Sequence, residues 1–147
     1  MSLRAATHLT FRRPAFAAFK SYNQSRSPLR QFHTTSPNMT VHNIATKAEF
    51  DQAVKKYPIV LLDCFATWCG PCKAIAPVIA KMSEDEKYKD VVHFIKIDVD
   101  ELPELSQELG ITAMPTFLLF KDGEPAGKTM GANPTAIQNL VAEQLPQ

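Results

Sequence analysis

Three features of this sequence predict an α/β fold, a central mixed β-sheet flanked by helices on both faces. Apolar segments of strand length alternate with segments of helical periodicity, the pattern of strands joined by crossover helices. One of these segments, Ile59 to Ala66, is apolar almost throughout, as expected of a strand covered on both faces. The last two strand-like runs flank Asp122-Gly123, a two-residue hairpin signal that adds antiparallel strands to a parallel arrangement.

The elements follow in order. Val41–Ile44 is a short first strand. Thr46-Lys47-Ala48-Glu49 is a capping-box pattern, and Phe50, Ala53, Val54 and Tyr57 continue it as one buried helical stripe that Pro58 ends. After the central strand, Ile75, Val78, Ile79 and Met82 mark the apolar face of a second helix, with Pro77 as a kink. Val91 to Val99 is a strand. Leu102, Leu105 and Leu109 make a short helix closed by Gly110. Thr116–Phe120 and Ala126–Met130 form the hairpin. Asn133-Pro134 then starts a last helix, as cap and first-turn proline, with Ile137, Leu140, Val141 and Leu145 facing inward.

Charge divides the chain of 147 residues unevenly. Residues 1–37 carry Arg4, Arg12, Arg13, Lys20, Arg26 and Arg30 and no acid; the remainder carries ten lysines against fifteen acids. The basic segment is also rich in Ser, Thr, Phe and Ala, the composition of a transit peptide. Residues 1–37 are therefore expected to be a cleavable, disordered presequence, and residues 38–147 the folded domain. Arg12, Arg13 and Pro14 break the apolar stretch a secretory signal needs. The run Arg-Gln-Phe-His-Thr-Thr-Ser at 30–36 resembles a matrix-processing site and favours the mitochondrial matrix over the chloroplast or cytoplasm. A basic arm for nucleic acid is the competing reading, but the acidic body offers it no basic face to continue onto. No apolar run approaches the roughly 20 residues that span a bilayer, so no stable membrane association is expected.

The chemistry is concentrated in Trp68-Cys69-Gly70-Pro71-Cys72. Two cysteines with two residues between them close a ring too small to stabilise much; the chain-entropy relation gives roughly 2 kcal/mol for a loop of about four residues. Such a pair is suited to exchanging two electrons. A structural zinc site needs about four ligands, and this chain offers one such pair, a lone Cys64 and the scattered His8, His33, His42 and His93. No metal is expected. A core cysteine pair is disfavoured because Gly-Pro marks a turn. Cys64, on the apolar strand, reads as an inert buried thiol. Asp63 is the anomaly: a carboxylate inside Ile-Val-Leu-Leu-Asp-Cys-Phe-Ala is costly. It is either a strand-end residue reaching solvent or a buried acid/base whose pKa desolvation raises.

Residues from about 39 to 145 resemble the thioredoxin family. The likeness rests on Trp-Cys-Gly-Pro-Cys-Lys at 68–73, Asp63 ending a hydrophobic strand, Lys96-Ile97-Asp98 on the next, Met114-Pro115-Thr116, Lys121-Asp122-Gly123 and Gly131, in the family's order and spacing. With the presequence, the chain is most similar to mitochondrial members. The resemblance implies the thioredoxin fold and a disulfide reductase with no bound cofactor. Its electrons would come from NADPH through thioredoxin reductase, its clients would be disulfide-bearing proteins such as peroxiredoxins, and it would act as a monomer.

Cys69 would attack as a thiolate favoured by its place at a helix start, an effect for which thioredoxins are themselves a standard example. Cys72, one turn further in and shielded where Cys69 is exposed, would resolve the mixed disulfide. Asp63 would assist deprotonation of Cys72, with Lys96 near it. Pro115 would be in the cis form, and Trp68, Gly70, Pro71, Ala113, Met114, Met130, Gly131 and Ala132 would form the apolar docking rim. A non-catalytic binding module using the same surface is the alternative.

Overall fold

The computed structural model describes residues 40–146. The expected presequence, 1–37, lies outside them. Five strands and four helices follow in the order β1 (Val41–Asn43), α1 (Lys47–Lys56), β2 (Ile59–Phe65), α2 (Gly70–Glu84), β3 (His93–Asp98), α3 (Pro103–Glu108), β4 (Thr116–Lys121), β5 (Glu124–Met130) and α4 (Pro134–Ala142). The strands lie in the order β1-β3-β2-β4-β5. β3 is parallel to both β1 and β2, while β4 runs antiparallel to β2 and β5 antiparallel to β4. The mixed sheet is the one the alternation and the hairpin predict.

Local chemistry starts and stops the elements. Thr46 Oγ1 accepts the Glu49 N–H at 3.2 Å, and Glu49 Oε2 accepts the N–H of Ala45 at 2.8 Å, one residue earlier than the ideal capping box. Asn133 Oδ1 caps α4 by accepting the N–H groups of Thr135 and Ala136. Asp122 and Gly123 both have positive φ, 52° and 91°, as a two-residue type I′ hairpin requires.

Several boundaries differ from the sequence reading, most of the strand ends by a single residue. Tyr88 O accepts both the Val91 and Val92 N–H groups, so the chain is still turning there and β3 begins only at His93. β5 begins at Glu124 rather than Ala126, because an edge strand tolerates Pro125 and the register shifts between Leu119 and Phe120. Leu145 lies beyond the end of α4 yet still packs against the core. Helix α2 continues through Pro77 without a break.

Strand alternation divides the interior into two halves. Val60, Leu62 and Cys64 of β2 face one side of the sheet, with Ile95, Ile97, Phe50, Val54 and Leu105. Ile59 and Leu61 face the other, with Phe94, Phe117, Ile75, Ile79, Ile137 and Val141. Helices α1 and α3 therefore cover one face, and α2 and α4 cover the opposite one. Burying Phe50 or Val54 stabilises α1 by roughly 1.5–3 kcal/mol per side chain. Asp63 shares the parity of Ile59 and Leu61, so it points beneath α2. Among the described residues, no helix is long and apolar enough to cross a membrane.

Candidate active site

Four residues join the end of β2 to the start of α2, and Cys69 is the last of them. Its N–H donates to Ala66 O at 3.1 Å, and its sulfur caps the helix by accepting the Cys72 N–H at 3.2 Å. Gly70, Pro71 and Cys72 form the first turn of α2 rather than a separate turn. Proline is tolerated there because first-turn N–H groups have no partner within the helix. Cys69 and Cys72 are joined as a disulfide with their Cα atoms 5.3 Å apart. A negative sulfur at position 69 meets unpaired helix N–H groups and the positive end of the helix dipole. The expectation that Cys69 is exposed and Cys72 shielded is not met in this oxidised form. The two are 5 % and 4 % exposed, because the disulfide sets each sulfur against the other and the pair packs with Ala66, Phe65 and Met114.

What separates the two cysteines is their surroundings. Cys72 lines a cavity of about 310 Å³ together with Asp63, Thr67, Lys73, Ala76 and Lys96; Cys69 does not. Asp63 is 5 % exposed and its Oδ1 has no hydrogen-bond partner. Burial pushes the Asp63 carboxyl up to about 7, against a smaller opposing pull from Lys96. Strand pairing sets Lys96 directly beside Asp63 on β3, and its ammonium lies 5.4 Å from the centre of the Phe65 ring. The carboxyl is thus a buried acid near neutrality rather than a strand-end residue in solvent. Cys64 faces the other half of the core. Desolvation, then the nearby Asp63 charge, push its thiol up to about 12, as an inert core thiol requires.

The rim assembles from three segments. The Met114–Pro115 bond is cis. Pro115 O accepts the N–H of Gly131 at 2.8 Å, and Met130 pairs with Thr116, so the end of β5 is fastened beside the proline. Gly131 has φ 89°, which favours glycine. Thr116 Oγ1 donates to Ala113 O at 2.7 Å and holds the preceding loop. Among the described residues, the Met114 backbone groups have no backbone partner. Trp68 and Met130 are 67 % and 59 % exposed. Gly70, Pro71, Ala113, Gly131 and Ala132 are exposed, Met114 is half-buried and Pro115 is buried. A Cβ at Gly70 would meet nothing within 4 Å, so packing within the chain does not demand glycine there.

Asp100 was not foreseen. The Trp68 indole N–H donates to its Oδ2 at 2.8 Å, while the Asp100 N–H donates to Asp98 Oδ1 at 3.0 Å. The pair is 32 residues apart in sequence, and no spacing rule links them. Another cavity, of about 420 Å³, lies at the far end of the sheet among Tyr57, His93 and Lys121; no cysteine lines it. Among the described residues, no three His, Cys, Asp or Glu side chains gather to hold a metal.

Residues 41–143 match the thioredoxin family profile. The chain belongs to the thioredoxin family. It is 45 % identical over 141 residues to Thioredoxin-2 of Pyricularia oryzae, covering 96 % of this chain and 81 % of that protein. The crystal structure of oxidised mitochondrial thioredoxin 3 from Saccharomyces cerevisiae matches with a TM-score of 0.66 and 41 % identity, over 71 % of this chain and 95 % of that one. A chain from a structural study of the thiol resolving mechanism in yeast mitochondrial 1-Cys peroxiredoxin via glutathione/thioredoxin systems matches with a TM-score of 0.65 and 41 % identity, over 70 % and 94 %. The fold is the thioredoxin fold, and the Cys69–Cys72 pair makes the chain a protein-disulfide oxidoreductase.

Proposed function

We propose that this thioredoxin-family chain works as a reductase, delivering electrons from NADPH, by way of a thioredoxin reductase, to disulfides in client proteins. The observation that carries the reading is the asymmetry of the pair: Cys69 sulfur caps α2, while Cys72 shares a cavity with Asp63. A Cys69 thiolate attacks one sulfur of a client disulfide and forms a mixed disulfide. Asp63 takes the proton of Cys72, whose sulfur attacks Cys69 and releases the reduced client. Lys96 lies beside Asp63 and favours its charged form, which returns the carboxyl to a proton-accepting state.

The client lies across the exposed Trp68, Gly70, Pro71, Ala113, Met130, Gly131 and Ala132 and the half-buried Met114, with Pro115 beneath. An extended client segment pairs with the free backbone of Met114 by strand addition. The clients include peroxiredoxins, a reading supported by the likeness to a chain from the yeast peroxiredoxin study. The protein acts as a monomer in the mitochondrial matrix. Residues 1–37 are its presequence, removed near 30–36, and residues 38–147 its thioredoxin domain; the likeness to yeast mitochondrial thioredoxin 3 supports this address. Mass spectrometry of the organellar protein tests the processing, and an active, abundant form retaining Met1 counts against it.

Insulin reduction with thioredoxin reductase and NADPH tests the activity. NADPH oxidation that depends on this chain is the expected result. Binding to clients without any NADPH oxidation would instead support a binding module.

A further inference from the structure

Two cavities meet at Asp63. The first is the one lined by Thr67, Cys72 and Lys73. The second, of about 380 Å³, runs under the later turns of α2 and is bounded by Thr40, Val41, Pro77, Ala80 and Glu84. Asp63, Ala76 and Lys96 line both. Each is far larger than one water needs, and each has polar groups on its walls, the conditions under which water fills a cavity. Asp63 is deeply buried, and its unpartnered Oδ1 is the group such water would serve.

Building on the assignment of Asp63 as acid/base of the resolving step, we propose that the second cavity is the path by which Asp63 exchanges its proton with solvent, with the Glu84 carboxylate at its rim as the relay. The proton balance requires such a path. The Cys72 S–H gives its proton to the Asp63 carboxylate as its sulfur bonds to Cys69 Sγ. The bond from Cys69 to the client breaks, and the client sulfur leaves as a thiolate. The client gains two electrons, and the new Cys69–Cys72 bond carries the oxidation. Asp63 must then lose that proton before the next turnover.

The first cavity is the poorer exit. Its exposed lining residues are Thr67, Lys73 and Ala76, the first two flanking the cysteines where a docked client sits, and the Lys73 ammonium opposes a departing proton. The second mouth carries a carboxylate. It lies twelve residues further along α2 than Cys72, roughly 18 Å at the rise of a helix. The charged groups facing Asp63 are Lys96 from β3 and, around the two cavities, Lys73 and Glu84 from α2. β4 sets only Phe117 against it, and Thr40 and Val41 carry no charge. Glu84 acts through Asp63 and touches neither thiol.

The test is a pH-jump from below to above neutrality on the oxidised full chain, following the infrared carboxyl band of Asp63. Glu84→Gln is expected to slow its relaxation about tenfold, equivalent to about 1.4 kcal/mol of barrier, with Glu84→Asp restoring the rate. Ala80→Leu, which narrows only the second cavity, is expected to slow it likewise. Ala74→Leu, exposed and outside both cavities, serves as the control and relaxes like wild type. A wild-type rate in Glu84→Gln overturns the relay, and a wild-type rate in Ala80→Leu overturns the path. Failure of the underlying role of Asp63 reads differently: Asp63→Asn would then reduce insulin at the wild-type rate, whatever the relaxation shows.

Discussion

Asp63 and Cys64 are consecutive residues of β2, 5 % and 0 % exposed, and they point to opposite faces of the sheet. Burial raises the pKa of both. Cys64 sits among Val60, Leu62, Ile95 and Ile97 in a closed apolar cluster, and its thiol, pushed up to about 12, stays protonated. Asp63 sits beneath α2, where two cavities reach it, and burial, partly offset by Lys96, pushes its carboxyl up to about 7. Equal depth therefore leaves a thiol that stays protonated on one face and a carboxyl that can ionise near neutrality on the other. What separates them is the ordinary pKa each starts from, 3.8 for the carboxyl and 9.0 for the thiol, together with the cavities that reach Asp63 alone.

The largest contrast should appear in activity. Cys69→Ser and Cys72→Ser are each expected to abolish insulin reduction, whereas Cys64→Ala should keep it near wild type and cost about 1 kcal/mol of stability, typical of a single core substitution. Loss of activity in Cys64→Ala without unfolding would break the comparison at its first step.

Stability comes next. The folded pKa of Asp63 lies above its ordinary value of 3.8, so folding takes up protons between pH 3.8 and about 7. Its contribution to stability is intact below that window and is lost as pH rises through it. The ceiling on the loss is about 4 kcal/mol, three pKa units of differential interaction. Asp63→Asn should therefore stabilise the oxidised protein at pH 8, leave it little changed at pH 4, and slow turnover. Equal denaturation midpoints for wild type and variant at pH 8 would contradict the assignment.

How much of this was legible in the sequence follows from what periodicity and composition can report. The apolar run of β2, the stripes of α1 and α4 and the Asp122-Gly123 hairpin were all readable, because each is a local pattern with a local cause. Asp63 stood out because a charge in an apolar strand has few explanations. The start of β3 was misjudged because Val91 and Val92 are as apolar as strand residues, while Tyr88 O holds them in a turn that only hydrogen bonding reveals. Asp100 was invisible because its tie to Trp68 joins two loops distant in sequence. The equal burial of Cys69 and Cys72 was missed because it depends on the disulfide and on Met114 packing against it.

The exposed rim offers a smaller effect. Trp68→Ser or Met130→Ser should raise KM for protein clients about fivefold, near 1 kcal/mol, and leave reduction of a small disulfide unchanged. A loss shared equally by protein and small substrates would place those side chains in the chemistry instead.

The smallest effect lies at the other end of the sheet. His93 stacks on Tyr57 with ring centres 3.6 Å apart and lies 4.8 Å from His42. Burial, then His42 and Lys56, push it down to about 4. It folds neutral, so its contribution is present above pH 6.5 and is lost as pH falls towards 4. His93→Gln should flatten that loss in unfolding curves without altering reductase activity. An unchanged acid limb would remove the effect.

Non-equivalence of the two active-site cysteines is the claim on which the rest depends. Non-reducing gels, with the linkage mapped by mass spectrometry, read it directly when Cys69→Ser and Cys72→Ser are each mixed with a disulfide-bearing client. Cys72→Ser should accumulate a covalent complex through Cys69 that dithiothreitol dissolves, because attack proceeds and release is missing. Cys69→Ser should form little complex. Complexes forming through Cys72 as readily as through Cys69 would contradict the account.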